Sequence, residues 1–272
     1  MAYKGILGAI FGDIIGSRFE YHNYKAKDFE LFGKRCGFTD DSVLTIAIGK
    51  ALLECNGDYT NLSQKATETM KQMGTRYPDA GYGGSFISWL YSDDPKPYNS
   101  WGNGAAMRVS ACAYFAKSLE EAVFLSHEVT AVTHNHPEGL KGAEATTVAT
   151  YMALHGSTKD EIKEHILNHY YNIDFELDDI RDSYYFDVSC QGSVPQALQA
   201  FFEASDYADT IRNAISIGGD SDTIAAIAGA VAGAYYGIPE EITKKSVDYL
   251  TYHLQTIVNE VDNKIAEIQK EL

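Results

Sequence analysis

Two short stretches of the sequence carry more oxygen-bearing side chains than a helix start needs. In the first, Thr39 is followed by Asp40 and Asp41, and an apolar run with helical spacing (Val43, Ile46, Ala47, Leu53) begins directly after them. In the second, Gly218 and Gly219 give way to Asp220, Asp222 and Thr223, which open the small-residue apolar run 224–237. One capping carboxylate or hydroxyl satisfies a helix start, and first-turn acids complement the helix dipole. Each stretch alone therefore admits a plain capping role. Together they offer four carboxylates and two hydroxyls, and carboxylates clustered without a cation repel one another and resist ionisation. Hard divalent cations take oxygen ligands, and a pair of them roughly 3.5–4 Å apart can activate a water. The pairing of the two stretches points to such a site for Mg²⁺ or Mn²⁺.

Other groups with chemical potential are scattered between them. Gly102, Asn103 and Gly104, followed by Ala105, Ala106, Met107 and Arg108, read either as a turn exposing backbone N–H groups to an anion or as an ordinary turn into a helix. His134 and His136, with His127 upstream, have spacing compatible with zinc, but packing and hydrogen bonding are the commoner fate of such histidines. The carboxylate-rich partners favour magnesium or manganese. Asp13 sits inside the glycine-rich apolar stretch 5–16, where a buried carboxylate needs either a neighbouring helix N-terminus or ordered water. Glu20 follows on a loop just beyond that stretch.

The elements that must position these groups read as helices. Gly5, Gly8, Gly12 and Gly16 recur at three- and four-residue spacing, so one face of the first helix is bare and calls for close approach of another helix. Further helices are expected over 43–53, 61–75, 86–90, 119–130 and 140–155. Another should start near Ser193 with Pro195 in its first turn, and a last one runs from Pro239 with the apolar stripe Val247, Leu250, Leu254, Ile257, Val261, Ile265 and Ile268. Residues 173–187 are acidic and aromatic, consistent with a surface loop carrying a short helix. Strand signals are nearly absent, which predicts an all-α fold in one domain spanning 1–272.

Composition narrows the function classes. The chain of 272 residues carries a formal charge of −16 with no Lys/Arg-rich block, which argues against nucleic-acid or anionic-membrane binding. Asp13 interrupts the apolar N-terminal stretch and Asp220 and Asp222 interrupt the run 215–238, so neither reads as a signal peptide or a membrane span. Cys36, Cys55, Cys112 and Cys190 are dispersed, as reduced thiols are. A cytoplasmic protein is expected.

The ordered set formed by Gly12, Asp13 and Gly16 with Phe19 and Glu20, then Thr39, Asp40 and Asp41, then 102–108, then Thr133 and His134, then 218–223, resembles the ADP-ribosylglycohydrolase family, of the dinitrogenase reductase-activating and ADP-ribosyl-acceptor hydrolase type. The resemblance implies a compact orthogonal helix bundle with a binuclear Mg²⁺ or Mn²⁺ cleft. By matching position, it implies metal ligation by Thr39, Asp40, Asp41, Asp220, Asp222 and Thr223. It makes Glu20, Asp41 and Asp222 the catalytic carboxylates, and it has Gly102, Asn103, Gly104, Met107 and His134 line the ADP-ribose. Ser42 and Ser221 stand where relatives often carry Thr. The implied reaction is cleavage of the glycosidic bond from ADP-ribose to an ADP-ribosylated protein side chain, arginine favoured, or to a small acceptor. The loops 93–101 and 172–189 would choose among acceptors. A metal-dependent phosphoesterase or pyrophosphohydrolase and a non-catalytic ADP-ribose-binding protein are the alternatives.

Overall fold

The described residues, 5–271 of this computed structural model, form fourteen α-helices and no β-strand. In chain order these are α1 (Leu7–Gly16), α2 (Asp40–Cys55), α3 (Leu62–Arg76), α4 (Gly84–Leu90), α5 (Ser110–Phe115), α6 (Leu119–Thr130) and α7 (Pro137–Leu154). They continue as α8 (Lys159–His169), α9 (Leu177–Ile180), α10 (Cys190–Glu203), α11 (Tyr207–Ser216), α12 (Ser221–Tyr236), α13 (Glu240–Ser246) and α14 (Tyr252–Glu271). The all-α class expected from the sequence is the one observed. None of the described helices is long and apolar enough to cross a membrane.

α12 is the axis of the bundle. Every residue from Ser221 to Ala234 is buried, and α1, α7, α10 and α11 pack around it. A helix apolar on all sides has to be surrounded, and its Ala and Gly content sets how near its neighbours come. α1, also buried throughout, lies closest. A Cβ on Gly8 would fall 2.5 Å from the Gly229 carbonyl oxygen, and one on Gly12 would fall 2.1 Å from that of Ala225. At Gly16 it would meet the backbone of Ser221 and Asp222 at 2.6 Å. The glycine face thus answers the expectation of close helix approach, and backbone dispersion along it offsets the roughly 1 kcal/mol that each helical glycine costs. Its last contact seats the start of α12 against the end of α1.

Two expectations on the helices are corrected. α10 begins at Cys190, before Ser193, because Ser189 caps it by accepting from the Gly192 amide at 3.1 Å. Pro195 consequently lies inside the helix, where the carbonyl it leaves without a partner one turn back belongs to exposed Gln191 and can face water. The segment 239–271 is not one helix: a 3₁₀ turn, Val247–Tyr249, separates α13 from α14, and the Thr251 hydroxyl accepts from the Leu254 amide to start α14 afresh. The side chain of Val247 lies outside the described residues. The remaining stripe, Leu250 to Ile268, is buried, and α14 packs on α2.

The interlock predicts a selective sensitivity. Gly12→Ala should lower the melting temperature by roughly 5–10 °C through overpacking against backbone that cannot retreat. Gly37→Ala, where a Cβ meets nothing within 4 Å, should change it by less than about 2 °C. Equal thermal shifts for the two variants would refute the packing account.

Candidate active site

The start of α2 is organised by a residue of α1. Asp13 is fully buried, and its Oδ2 accepts from the backbone amides of Thr39 at 2.9 Å and Ser42 at 3.0 Å. Its Oδ1 accepts from the Thr39 hydroxyl at 2.7 Å, and the Ser42 hydroxyl donates to Oδ2 as well. The neighbouring helix N-terminus that a buried Asp13 required is therefore that of α2. The Thr39 oxygen meanwhile accepts from the Asp41 amide at 3.3 Å, the N-cap bond expected of it. With its hydrogen given to Asp13, one lone pair of the Thr39 hydroxyl stays uncommitted. Asp40 and Asp41 follow in the first turn, and Asp41 Oδ1 is buried with no hydrogen-bond partner.

The start of α12 departs from ordinary capping. Gly218 and Gly219 both adopt positive φ, +70° and +72°, which turns the chain sharply into the helix. Asp220 occupies the N-cap position yet makes no capping bond; its Oδ2 accepts instead from Asn103 Nδ2 at 2.6 Å. The Thr223 hydroxyl donates to Asp41 Oδ2 at 3.2 Å, so the two helix starts, 182 residues apart, meet directly. Glu20 enters the same space. One carboxylate oxygen each from Glu20, Asp220 and Asp222 lie within 4.8 Å of one another, which draws Glu20 into the cluster itself.

These acids destabilise one another's charges. Burial raises Asp40 to about 8 and Asp13 to about 6 from an ordinary 3.8. Burial first, then the charges of neighbouring acids, push Asp41 and Asp222 well above the usual carboxylate range. Asp220 and Glu20 are raised too, chiefly by burial. The leading cause in every case is desolvation, compounded by like charge at Glu20, Asp40, Asp41, Asp220 and Asp222, the condition that a bound cation relieves.

A cleft of about 410 Å³ opens over the cluster, within the range of small-molecule sites. Gly102, Asn103, Gly104, Met107 and His134 all line it, as do Glu20, Asp40, Asp41, Asp220, Asp222 and Thr223. The loop 102–104 is less open than an anion-binding turn. The Asn103 amide donates to the Val188 carbonyl at 2.7 Å, that of Gly102 to the Ser100 hydroxyl, and those of Ala105, Ala106 and Met107 back into the loop. Those five N–H groups are thereby engaged. At the start of α4, by contrast, Gly83 provides no side-chain cap, and Gly84 and Ser85 border the cleft.

His134 is buried beside this loop. Thr133 Oγ1 accepts from Arg108 Nη2 at 2.6 Å and lies 2.7 Å from His134 Nδ1. With the Thr133 hydroxyl donating to Nδ1, the ring is assigned its proton on Nε2, the nitrogen next to Gly102 and Gly104. Burial, then the charge of Arg108, hold the imidazole well below its usual pKa, hence neutral. His136 caps α7 by accepting from the Glu138 amide, and His127 is on an exposed part of α6, so the three histidines do not assemble a zinc site.

Four residues, Arg108, Tyr98, Tyr21 and Phe186, were given no role from sequence. Asn103 was expected as a cleft residue, but its tether to Asp220 and Ser193 was not. Arg108 is fully buried with Nε and Nη1 unpaired, a fixed positive charge behind the cleft, and the 102–108 motif that contains it assigned it no role. Tyr98 lines the cleft with its ring 5.7 Å from that of His134. Tyr21 and Phe186, on its rim, lie far apart in the chain and become neighbours only through the fold.

The chain matches the ADP-ribosylglycohydrolase family over residues 2–270. It is 23% identical to a Mus musculus protein named ADP-ribosylhydrolase ARH3, with 88% of this chain and 84% of that one aligned. It is 27% identical to ADP-ribosylarginine hydrolase Tri1 of Pseudomonas putida over 68% of this chain and 51% of that protein. A solved structure titled ADP-ribosylglycohydrolase-related protein complex superposes with a TM-score of 0.68 at 23% identity, covering 95% of both chains, which speaks for a shared fold. With a family match nearly from end to end, the chain belongs to the ADP-ribosylglycohydrolase family of enzymes.

Proposed function

We propose that the chain, as one domain over 1–272, hydrolyses the glycosidic bond between ADP-ribose and an acceptor, with the arginine side chain of an ADP-ribosylated protein as the preferred one. The observation that carries this reading is the meeting of two over-supplied helix starts at the floor of a ligand-sized cleft. The donor set suits a pair of hard divalent ions, Mg²⁺ or Mn²⁺: Asp41 Oδ1 is buried and unpartnered, Asp220 forgoes its capping bond, and the clustered carboxylates are raised by burial and then by one another's charge. Thr39, Asp40 and Asp41 would hold the ions from α2, and Asp220, Asp222 and Thr223 from α12. Bound there, the ions supply positive charge for the ribose hydroxyls and acidify water.

The chain's own groups then divide the remaining work. Asn103 fixes the Asp220 carboxylate, and Asp13 fixes the turn bearing Asp40 and Asp41. The Nε2 proton of His134 is offered to a ligand oxygen, and the Tyr98 ring gives a base a face for stacking. Buried Arg108 and the uncapped amides of α4 lend positive potential to a diphosphate. Glu20, half-buried and raised in pKa, takes a proton from the attacking water as the bond from the anomeric carbon to the acceptor breaks through an oxocarbenium-like state, and the departing acceptor atom receives that proton; Asp41 and Asp222 are the other carboxylates in reach of that role.

Purified protein with Mn²⁺ or Mg²⁺ should release free ADP-ribose from arginine-linked conjugates faster than from serine- or acetyl-linked ones. Asp222→Asn should slow release at least ~100-fold while the helical circular dichroism spectrum persists. AMP or phosphate as the product would convert the reading to a phosphoesterase, and silence on every substrate would end it.

The raised carboxylates also set a pH dependence. Each keeps its proton in the folded chain after the unfolded chain has released its own, so stability falls as pH rises. For Asp40 that window runs from 3.8 to about 8, and for Asp13 from 3.8 to about 6. In EDTA the melting temperature should therefore drop between pH 5 and pH 8. Saturating Mn²⁺ should raise it by roughly 5–10 °C at pH 8 and by less at pH 5. An equal rise at both pH values would show that these acids are not what the ion relieves.

A further inference from the structure

Two rings on the open rim of the cleft have no part in the reaction as derived above. Tyr21 and Phe186 come from loops 165 positions apart, and their centroids lie 6.5 Å apart with planes inclined by 19°. Both line the cleft, yet Tyr21 is 82% exposed and Phe186 50% exposed, so neither fills the core. Exposed, near-parallel rings lining a cleft are surfaces for a ligand. Their position along the cleft is fixed by Glu20: Tyr21 follows it directly in the chain and its hydroxyl feels the charge of the Glu20 carboxylate, which stands with Asp220 and Asp222. The pair therefore overhangs the carboxylate end, whereas Tyr98 stands beside His134.

Charge defines what fits there. Glu20, Asp40, Asp41, Asp220 and Asp222 line the cleft, and even two divalent ions would leave this set one negative charge in excess. Asp187, next to Phe186, adds its field to that of Asp220. Among the cleft-lining residues Arg108 is the one Lys or Arg, and its side chain is fully buried. An acidic mouth with two near-parallel aromatic faces matches a flat cation. A guanidinium stacks on aromatic rings through both its plane and its charge, whereas a serine or acetyl ester offers neither.

We infer that Tyr21 and Phe186 clamp the guanidinium of an ADP-ribosylated arginine, and so are specificity-determining residues on the acceptor side of the cleft. This rests on the reaction proposed above and adds to it the device that selects the acceptor.

The test compares the full-length wild type, Phe186→Ala, Phe186→Trp and Tyr21→Leu, each with Mn²⁺, on ADP-ribosyl-arginine and ADP-ribosyl-serine peptides. The ratio of kcat/KM for the arginine-linked to the serine-linked peptide should fall roughly tenfold in Phe186→Ala and in Tyr21→Leu, carried mainly by KM. Phe186→Trp, which keeps an aromatic face, should hold the ratio near that of the wild type. Affinity for free ADP-ribose, measured by calorimetry on the same samples, should stay within about twofold, because the rings lie beyond the ribose. A ratio unchanged in both truncated variants, with ADP-ribose still released, overturns the clamp and leaves the reaction standing. No release from either peptide by the wild type overturns the reaction, and the clamp with it.

Discussion

The contact on which the rest of the molecule depends is the backbone-to-backbone approach of α1 and α12. It is available because Gly8, Gly12 and Gly16 present no side chain to Gly229, Ala225 and Asp222. The approach fixes the start of α12 against the end of α1, and Asp13, on the same short helix, holds the start of α2 through four hydrogen bonds. A ten-residue helix thus brackets both acid-bearing turns. Its role explains a composition that is poor by helix propensity alone, since any Cβ on that face would drive the two halves of the site apart.

The electrostatics of the site follow from this enforced proximity. Carboxylates gathered and buried together cost stability, and the fold meets that cost with covalent connectivity and tight packing; among the described residues no lysine or arginine pairs with the cluster. The hydrogen bonds that do reach the acids come from neutral donors: Asn103 for Asp220, Thr223 for Asp41, and Thr39 with Ser42 for Asp13. Neutral donors orient a carboxylate without quenching its charge, so its attraction for a cation survives.

Much of this was legible in the sequence, and the reasons differ by feature. The bare glycine face, the twin acidic helix starts and the need of Asp13 for a helix N-terminus follow from local spacing and from the rule that buried polar groups find partners. Boundaries were read less well where a local signal competed with another: Ser189 out-ranked Pro195 in starting α10, and Thr251 restarted a helix that periodicity alone would have run straight through. Relations between distant loops left no mark in the sequence. Nothing near Asn103 announces Asp220, nothing near Tyr21 announces Phe186, and spacing alone left the loop 102–104 open between an anion-binding turn and a plain helix entry, a choice that the Ser100 hydroxyl and the Val188 carbonyl bear on by taking the Gly102 and Asn103 amides.

That last pairing has a consequence for how the molecule can be altered. The Asn103 amide is fastened to the Val188 carbonyl, and Cys190 donates back to Trp101, so the 102–104 loop and the 181–189 loop form a single mechanical piece. Phe186 rides on one side of it, and the Asn103 side chain that steadies Asp220 rides on the other. A loop transplanted from a relative would pull on the acidic turn at the start of α12 through this bridge. The shape of the cleft rim and the placement of the Asp220 carboxylate are therefore coupled, and single ring substitutions, which leave the bridge intact, are the finer tool for separating them.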